Sequence, residues 1–166
     1  MDTTHRLDAH HHHHPAPGAS LNRTALSATL HCLTGCAIGE VLGMVIGTAL
    51  GWGNGPTIAL AVALAFAFGF GLTMLPLLRA GIAPRRAVSL AVAADTASIT
   101  IMEIVDNGVM LAIPGAMEAG LGDALFWGSL AFALAVAGVA AFPVNRWLIA
   151  RGRGHAVVHA VYGGHR

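Results

Sequence analysis

An all-α integral membrane protein, a four-transmembrane-helix bundle with both termini cytoplasmic, is the fold predicted by three observations. Hydrophobic residues make up 55% of the 166-residue chain and charged residues only 10%, whereas a soluble globule carries about 25% charged residues. Four apolar stretches are each long enough to cross about 30 Å of hydrocarbon at about 1.5 Å per residue. None shows the two-residue alternation of a barrel strand, and in lipid only helices and closed barrels satisfy their own backbone. A single membrane domain takes up this length, with no sign of a second folded unit.

Taken in order, residues 1–24 read as a disordered, His-rich cytoplasmic tail that includes His10, His11, His12, His13 and His14. Such tracts capture Zn, Cu or Ni without fixed geometry, and the run fits an expression tag equally well. The first span covers residues 25–51. It is about twice the length of a cleaved signal segment and follows more than twenty polar residues, so it reads as a retained helix. "GWGNGP" (51–56) leads to the second span, 57–78, where Pro76 removes a backbone bond and should kink the helix beside Thr73 and Met74. "RAGIAPRR" (79–86) precedes the third span, 87–112, and "IPGAMEAGLGD" (113–123) the fourth, 124–150, which contains Pro143. Residues 151–166 form a second cytoplasmic tail with His155, His159 and His165.

The nine basic residues, all arginine, set the orientation. Arg6 and Arg23 precede the first span, Arg79, Arg85 and Arg86 lie between the second and third, and Arg146, Arg151, Arg153 and Arg166 close the chain. Four crossings put these three regions on one side, which the positive-inside rule makes the cytoplasm. Trp52 and Trp127 would then anchor the outer interface and Trp147 the inner one. A net charge of +1 and dispersed arginines leave no footprint for nucleic acid.

The acids are distributed unevenly. Asp2 and Asp8 lie in the tail and Glu118 and Asp123 in a loop, but Glu40 falls inside the first span and Asp95, Glu103 and Asp106 inside the third. Each intramembrane carboxylate costs about 2.5–3.5 kcal/mol on insertion scales and normally faces the bundle interior. With no lysine or arginine at that depth, the four must be protonated, bound to a cation or hydrated in a cavity.

On the first span Cys32, Cys36, Glu40 and Met44 recur every four residues and form one stripe. Beside it His31, Gly35, Gly39, Gly43 and Gly47 form another, whose glycines read as a helix-packing face. Met102, Asp106 and Met110 make a stripe on the third span, with Asn107 beside it. Residues at equal depth on the two spans should differ by about 62 positions, which sets Asp95 level with His31 and Cys32, Glu103 with Glu40, and Asp106 with Met44. If the spans touch, His31, Cys32, Cys36, Glu40, Met44, Asp95, Met102, Glu103 and Asp106 form one polar column. Soft N and S donors suit Cu(I) or Zn, and carboxylates suit harder ions. Taken singly, a buried cysteine or methionine is most simply a core filler.

The combination of "HCLTGCAIGEVLGM" and "DTASITIMEIVDN" resembles a family of small bacterial four-helix membrane proteins catalogued as domain of unknown function 4396. The resemblance covers about residues 25–150 and rests on His31, Cys32, Gly35, Cys36, Gly39 and Glu40, followed by Asp95, Glu103 and Asp106. It implies a multi-pass protein of the bacterial inner membrane. It implies no established reaction, though some relatives are joined to, or encoded near, copper-handling proteins.

The leading expectation is a protein that transports or transfers a transition metal ion, copper or zinc, through the column. A proton-coupled small-molecule transporter using Glu40 and Glu103 is the alternative. A membrane thiol oxidoreductase fits less well, because Cys32 and Cys36 lie deep in a helix and lack the CxxC spacing of redox sites. A structural subunit of a membrane complex is a fourth reading. No phosphate-binding glycine loop, HExxH or nucleophile elbow suggests hydrolysis or phosphoryl transfer, so no catalytic residue is assigned. Expected partners are the lipid bilayer and a second copy of the chain or a small membrane complex, with the glycine face as the dimer surface.

Overall fold

The computed structural model describes residues 17–151, with side chains from residue 21 onward. The His10–His14 run and His155, His159 and His165 lie outside the described residues. Four helices account for nearly all of the rest: α1 (Pro17–Ala49), α2 (Asn54–Arg79), α3 (Pro84–Ala112) and α4 (Ala124–Ala150). All four are long and apolar enough to cross a membrane.

Burial follows the logic of a bilayer rather than of water. Large apolar side chains point outward, Val139 at 76% and Ile104 at 68% exposure among them, while Thr29, Glu40, Thr73, Asp95, Ser98, Glu103, Asp106 and Asn145 are buried. Lipid tails are as apolar as leucine, so these helices gain little by hiding hydrophobic surface from one another. They associate through close van der Waals packing and interhelical hydrogen bonds. The core is accordingly rich in alanine: Ala25, Ala28, Ala61, Ala65, Ala91, Ala133, Ala137 and Ala141 are all at most 5% exposed.

α1 begins at Pro17, inside the segment read from sequence as tail. Proline is well placed in a first helical turn, where its missing N–H would have had no partner. The turns that follow gain contacts the hydropathy pattern does not register. Leu21 packs against Ala25, Ala28 and Ile149, and Arg146 Nε donates to Asn22 Oδ1 at 2.7 Å. α2 and α4 both continue through their internal prolines, Pro76 and Pro143.

Short connections make sequential helices antiparallel. α1 ends in a paired capping arrangement: Gly51 N–H donates to Thr48 O at 3.1 Å and Trp52 N–H to Gly47 O at 2.9 Å. This 5→2 and 6→1 pattern needs a left-handed residue at its centre, and Gly51 supplies it with φ 66°. α2 closes in the same way through Gly81 (φ 79°), with Gly81 N–H on Leu78 O and Ile82 N–H on Leu77 O. The start of α1 and the end of α4 therefore lie at one end of the bundle, called here the terminal end; the opposite, loop end carries the α1–α2 and α3–α4 connections.

α1 packs chiefly on α2, and α3 on α4; α1 also touches α4, α2 touches α3, and α1 and α3 meet across the diagonal. The glycine stripe of α1 lies against a second stripe of small residues on α2. Gly35 faces Gly69, Gly39 faces Ala65, Gly43 faces Ala61 and Gly47 faces Thr57, and a Cβ at any of the four would collide with the atoms opposite. This corrects one expectation. The face that sequence offered for dimerisation is occupied within the chain by α2, because a short turn delivers a complementary small-residue stripe before any second copy can.

Candidate functional site

The residues that carry chemistry line the diagonal contact between α1 and α3, in three levels. At the level nearest the terminal end, the Cys32 thiol donates to Asp95 Oδ1 at 3.8 Å, across 63 residues of sequence. Beside it His31 Nε2 and Thr73 Oγ1 of α2 lie 3.0 Å apart. Ser98, one helical turn beyond Asp95, accepts from Asn145 Nδ2 of α4 at 3.0 Å, and Thr29 of α1 accepts from the same amide at 2.9 Å. All four helices thus contribute to this level. Thr29 keeps its own hydroxyl proton satisfied on Ala25 O at 2.9 Å.

One turn further along, Cys36 faces Glu103. Asn107 Nδ2 braces that carboxyl, bonding to the Glu103 backbone carbonyl at 2.9 Å and reaching Oε2 at 3.4 Å. Met102 is fully buried in the same cluster as Cys32 and Cys36, between Ile99 and the α4 alanines Ala137 and Ala141.

At the third level Glu40 faces Asp106. Both Glu40 carboxyl oxygens and Asp106 Oδ1 are buried without a hydrogen-bond partner. They line a cavity of about 30 Å³ together with Met44, Met110, Met117 and Phe126. The α3–α4 loop contributes Met117 to its wall; Ala116 is fully buried, and Met117 packs with Met110 and Phe126 in one cluster. Two contacts hold that loop in shape, Gly120 N–H on Asp123 Oδ2 and Trp127 Nε1–H on Leu121 O, both at 2.8 Å.

The thiols and carboxyls of the column therefore come as pairs, spaced one helical turn apart along α1 but unevenly along α3, where Asp95, Glu103 and Asp106 are eight and three residues apart. Among the described residues no three His, Cys, Asp or Glu side chains converge to hold a metal ion. The described arginines, Arg23, Arg79, Arg85, Arg86, Arg146 and Arg151, are all exposed.

Sequence reading did not find Thr29, Ser98, Asn145 or Met117. Asn145 carried a usable signal, being an amide in a span otherwise almost free of polar groups, where polar residues generally bond across helices. Thr29 and Ser98 carried none, since Ser and Thr in membrane helices usually bond to their own backbone. Met117 sits in a loop, and only the fold of that loop brings it to the site.

Neither the curated proteins nor the solved structures offer a match to this chain. A family model does match residues 21–154, across all four helices and the whole column, and the chain belongs to the family described as Domain of unknown function (DUF4396).

Proposed function

We propose that this chain is a bacterial inner-membrane protein, both termini cytoplasmic, that passes a soft transition-metal cation along the column between α1 and α3. Cu(I) fits best and Zn(II) second. The observation that carries the reading is the pairing of donors at successive depths: Cys32 with Asp95, Cys36 with Glu103, Glu40 with Asp106. A path must bind its ion well enough to admit it and weakly enough to release it. Two donors per level, at successive depths, meet that requirement better than one closed site with four ligands would. Thiol and thioether sulfur favour Cu(I) over harder ions, and Met102 adds a third sulfur beside the cysteines. A monovalent cation beside one ionised carboxylate leaves no net charge in a medium where net charge is costly.

The orientation rests on the arginine asymmetry. No covalent chemistry is required of the chain, and the two cysteines, buried on one continuous helix, serve as ligands rather than as a redox pair.

The test is metal uptake into vesicles containing the purified protein, with bound metal measured in parallel. Cys32→Ser/Cys36→Ser and Glu40→Gln are each expected to abolish uptake. Uptake unchanged in all of these variants would overturn the reading.

The unpartnered, facing carboxyls of Glu40 and Asp106 favour a second reading, proton-coupled transport of a small molecule with Glu40 and Glu103 as proton carriers. Under it the Cys32→Ser/Cys36→Ser protein stays active while Glu40→Gln does not, so the same variants separate the two.

A further inference from the structure

The cavity at the loop end is distinct from the thiol levels, and three features of it point to a ligand. First, Met44, Met110 and Met117 all line a space of only about 30 Å³, although the whole chain has just six methionines. Scattered gap-fillers would not converge in this way. They arrive from three separate segments: α1, α3 and the α3–α4 loop. Second, Glu40 is 94% buried by its 6% exposure, Asp106 is 2% exposed, and three of their four carboxyl oxygens have no hydrogen-bond partner. A buried acceptor without a donor is costly, by about 1–3 kcal/mol each and more when charged. Such a cost persists where something else satisfies the group. Third, the lining suits water poorly: a buried water needs two to four polar partners, whereas three of the lining side chains are thioethers, which accept hydrogen bonds only weakly.

We propose that Met44, Met110 and Met117, with Glu40 and Asp106, form a binding station for a single soft monovalent cation of the Cu(I) class at the loop end of the column. Thioether sulfur selects the soft ion. One carboxylate balances its charge. The Phe126 ring, 1% exposed, forms part of the apolar wall. The inference rests on the soft-cation reading above, and it names where the ion is held before or after it meets the thiols.

The probe is Ag(I), a redox-inert soft monovalent ion, added to the full-length protein in lipid nanodiscs and followed by X-ray absorption at the silver edge. In a Cys32→Ser/Cys36→Ser background, Ag(I) with sulfur neighbours is expected to remain bound, since only thioethers can supply the sulfur. Adding Met117→Leu should weaken that binding by at least the about 10–100-fold that loss of a supporting group costs at metal sites. Adding Met44→Leu and Met110→Leu should remove the sulfur signal. Leucine conserves volume and shape, so the fold should survive, and a tryptophan fluorescence spectrum identical to the parent's checks it. Loss of the sulfur signal in the Cys32→Ser/Cys36→Ser protein, or its persistence in the triple leucine variant, overturns the station. If the methionine-dependent signal is present but wild-type vesicles take up no metal, the station stands and the transport reading fails.

Discussion

Replacing Gly39 with alanine places a Cβ 2.5 Å from Ala65 Cα and 2.8 Å from the Leu64 carbonyl carbon. Ordinary contact begins at about 3.4 Å and the obstructing atoms are backbone, so no rotamer change relieves the clash. α2 must back away by about 1 Å, and a gap of that size forfeits a quarter to a half of the attraction at every contact that opens. In lipid this loss falls on the main force holding the two helices together. An overpacked core of this kind costs about 1–3 kcal/mol. Alanine also raises helix propensity, by about 0.5–1 kcal/mol over glycine, which would mask part of the effect. Gly71→Ala is the control, because Gly71 is likewise inside a helix, α2, but nothing lies within 4 Å of its added Cβ. Unfolding in mixed micelles, followed by tryptophan fluorescence, should show Gly39→Ala less stable than Gly71→Ala by about 1–3 kcal/mol. A difference below about 0.5 kcal/mol, the spread of an ordinary surface substitution, would refute the close packing of α1 on α2.

Three other outcomes follow from the same geometry. Asn145→Leu removes the amide that joins Thr29 to Ser98, and at about 0.6–1.7 kcal/mol per interhelical bond should cost about 1–3 kcal/mol in the same unfolding assay; an unchanged midpoint would count against the four-helix polar level. Cys32 and Cys36, 0% and 1% exposed, should both remain titratable as thiols after mild oxidation and denaturation, because side chains one turn apart on a regular helix seldom meet disulfide geometry. Reporter domains fused at either terminus should both read as cytoplasmic, as the arginine distribution requires, and opposite readings would break the even number of crossings.

Composition and hydropathy by themselves determined that this chain crosses a membrane, with four helices separated where Gly51, Gly81 and Gly115 sit. The reason is local. Length, apolarity and turn glycines act on the chain segment by segment, and lipid permits few alternatives to a helix. Helical periodicity also determined which residues share a stripe, and equal spacing predicted that Asp95 and Cys32 lie at one depth; they are in contact at 3.8 Å. What pairs with what across the bundle was decided by tertiary structure. The glycine stripe of α1 met α2 rather than a second copy, since small residues on both helices let their backbones approach. Further along, the offset grew: Cys36 came to face Glu103, and Glu40 to face Asp106, because crossing helices do not keep constant register. Met102 was drawn to the thiols, while Met117 entered the loop-end cavity from a connection that no helical periodicity describes. Sequence chose the donors; the crossing of α1 over α3 and the folded α3–α4 loop chose their partners.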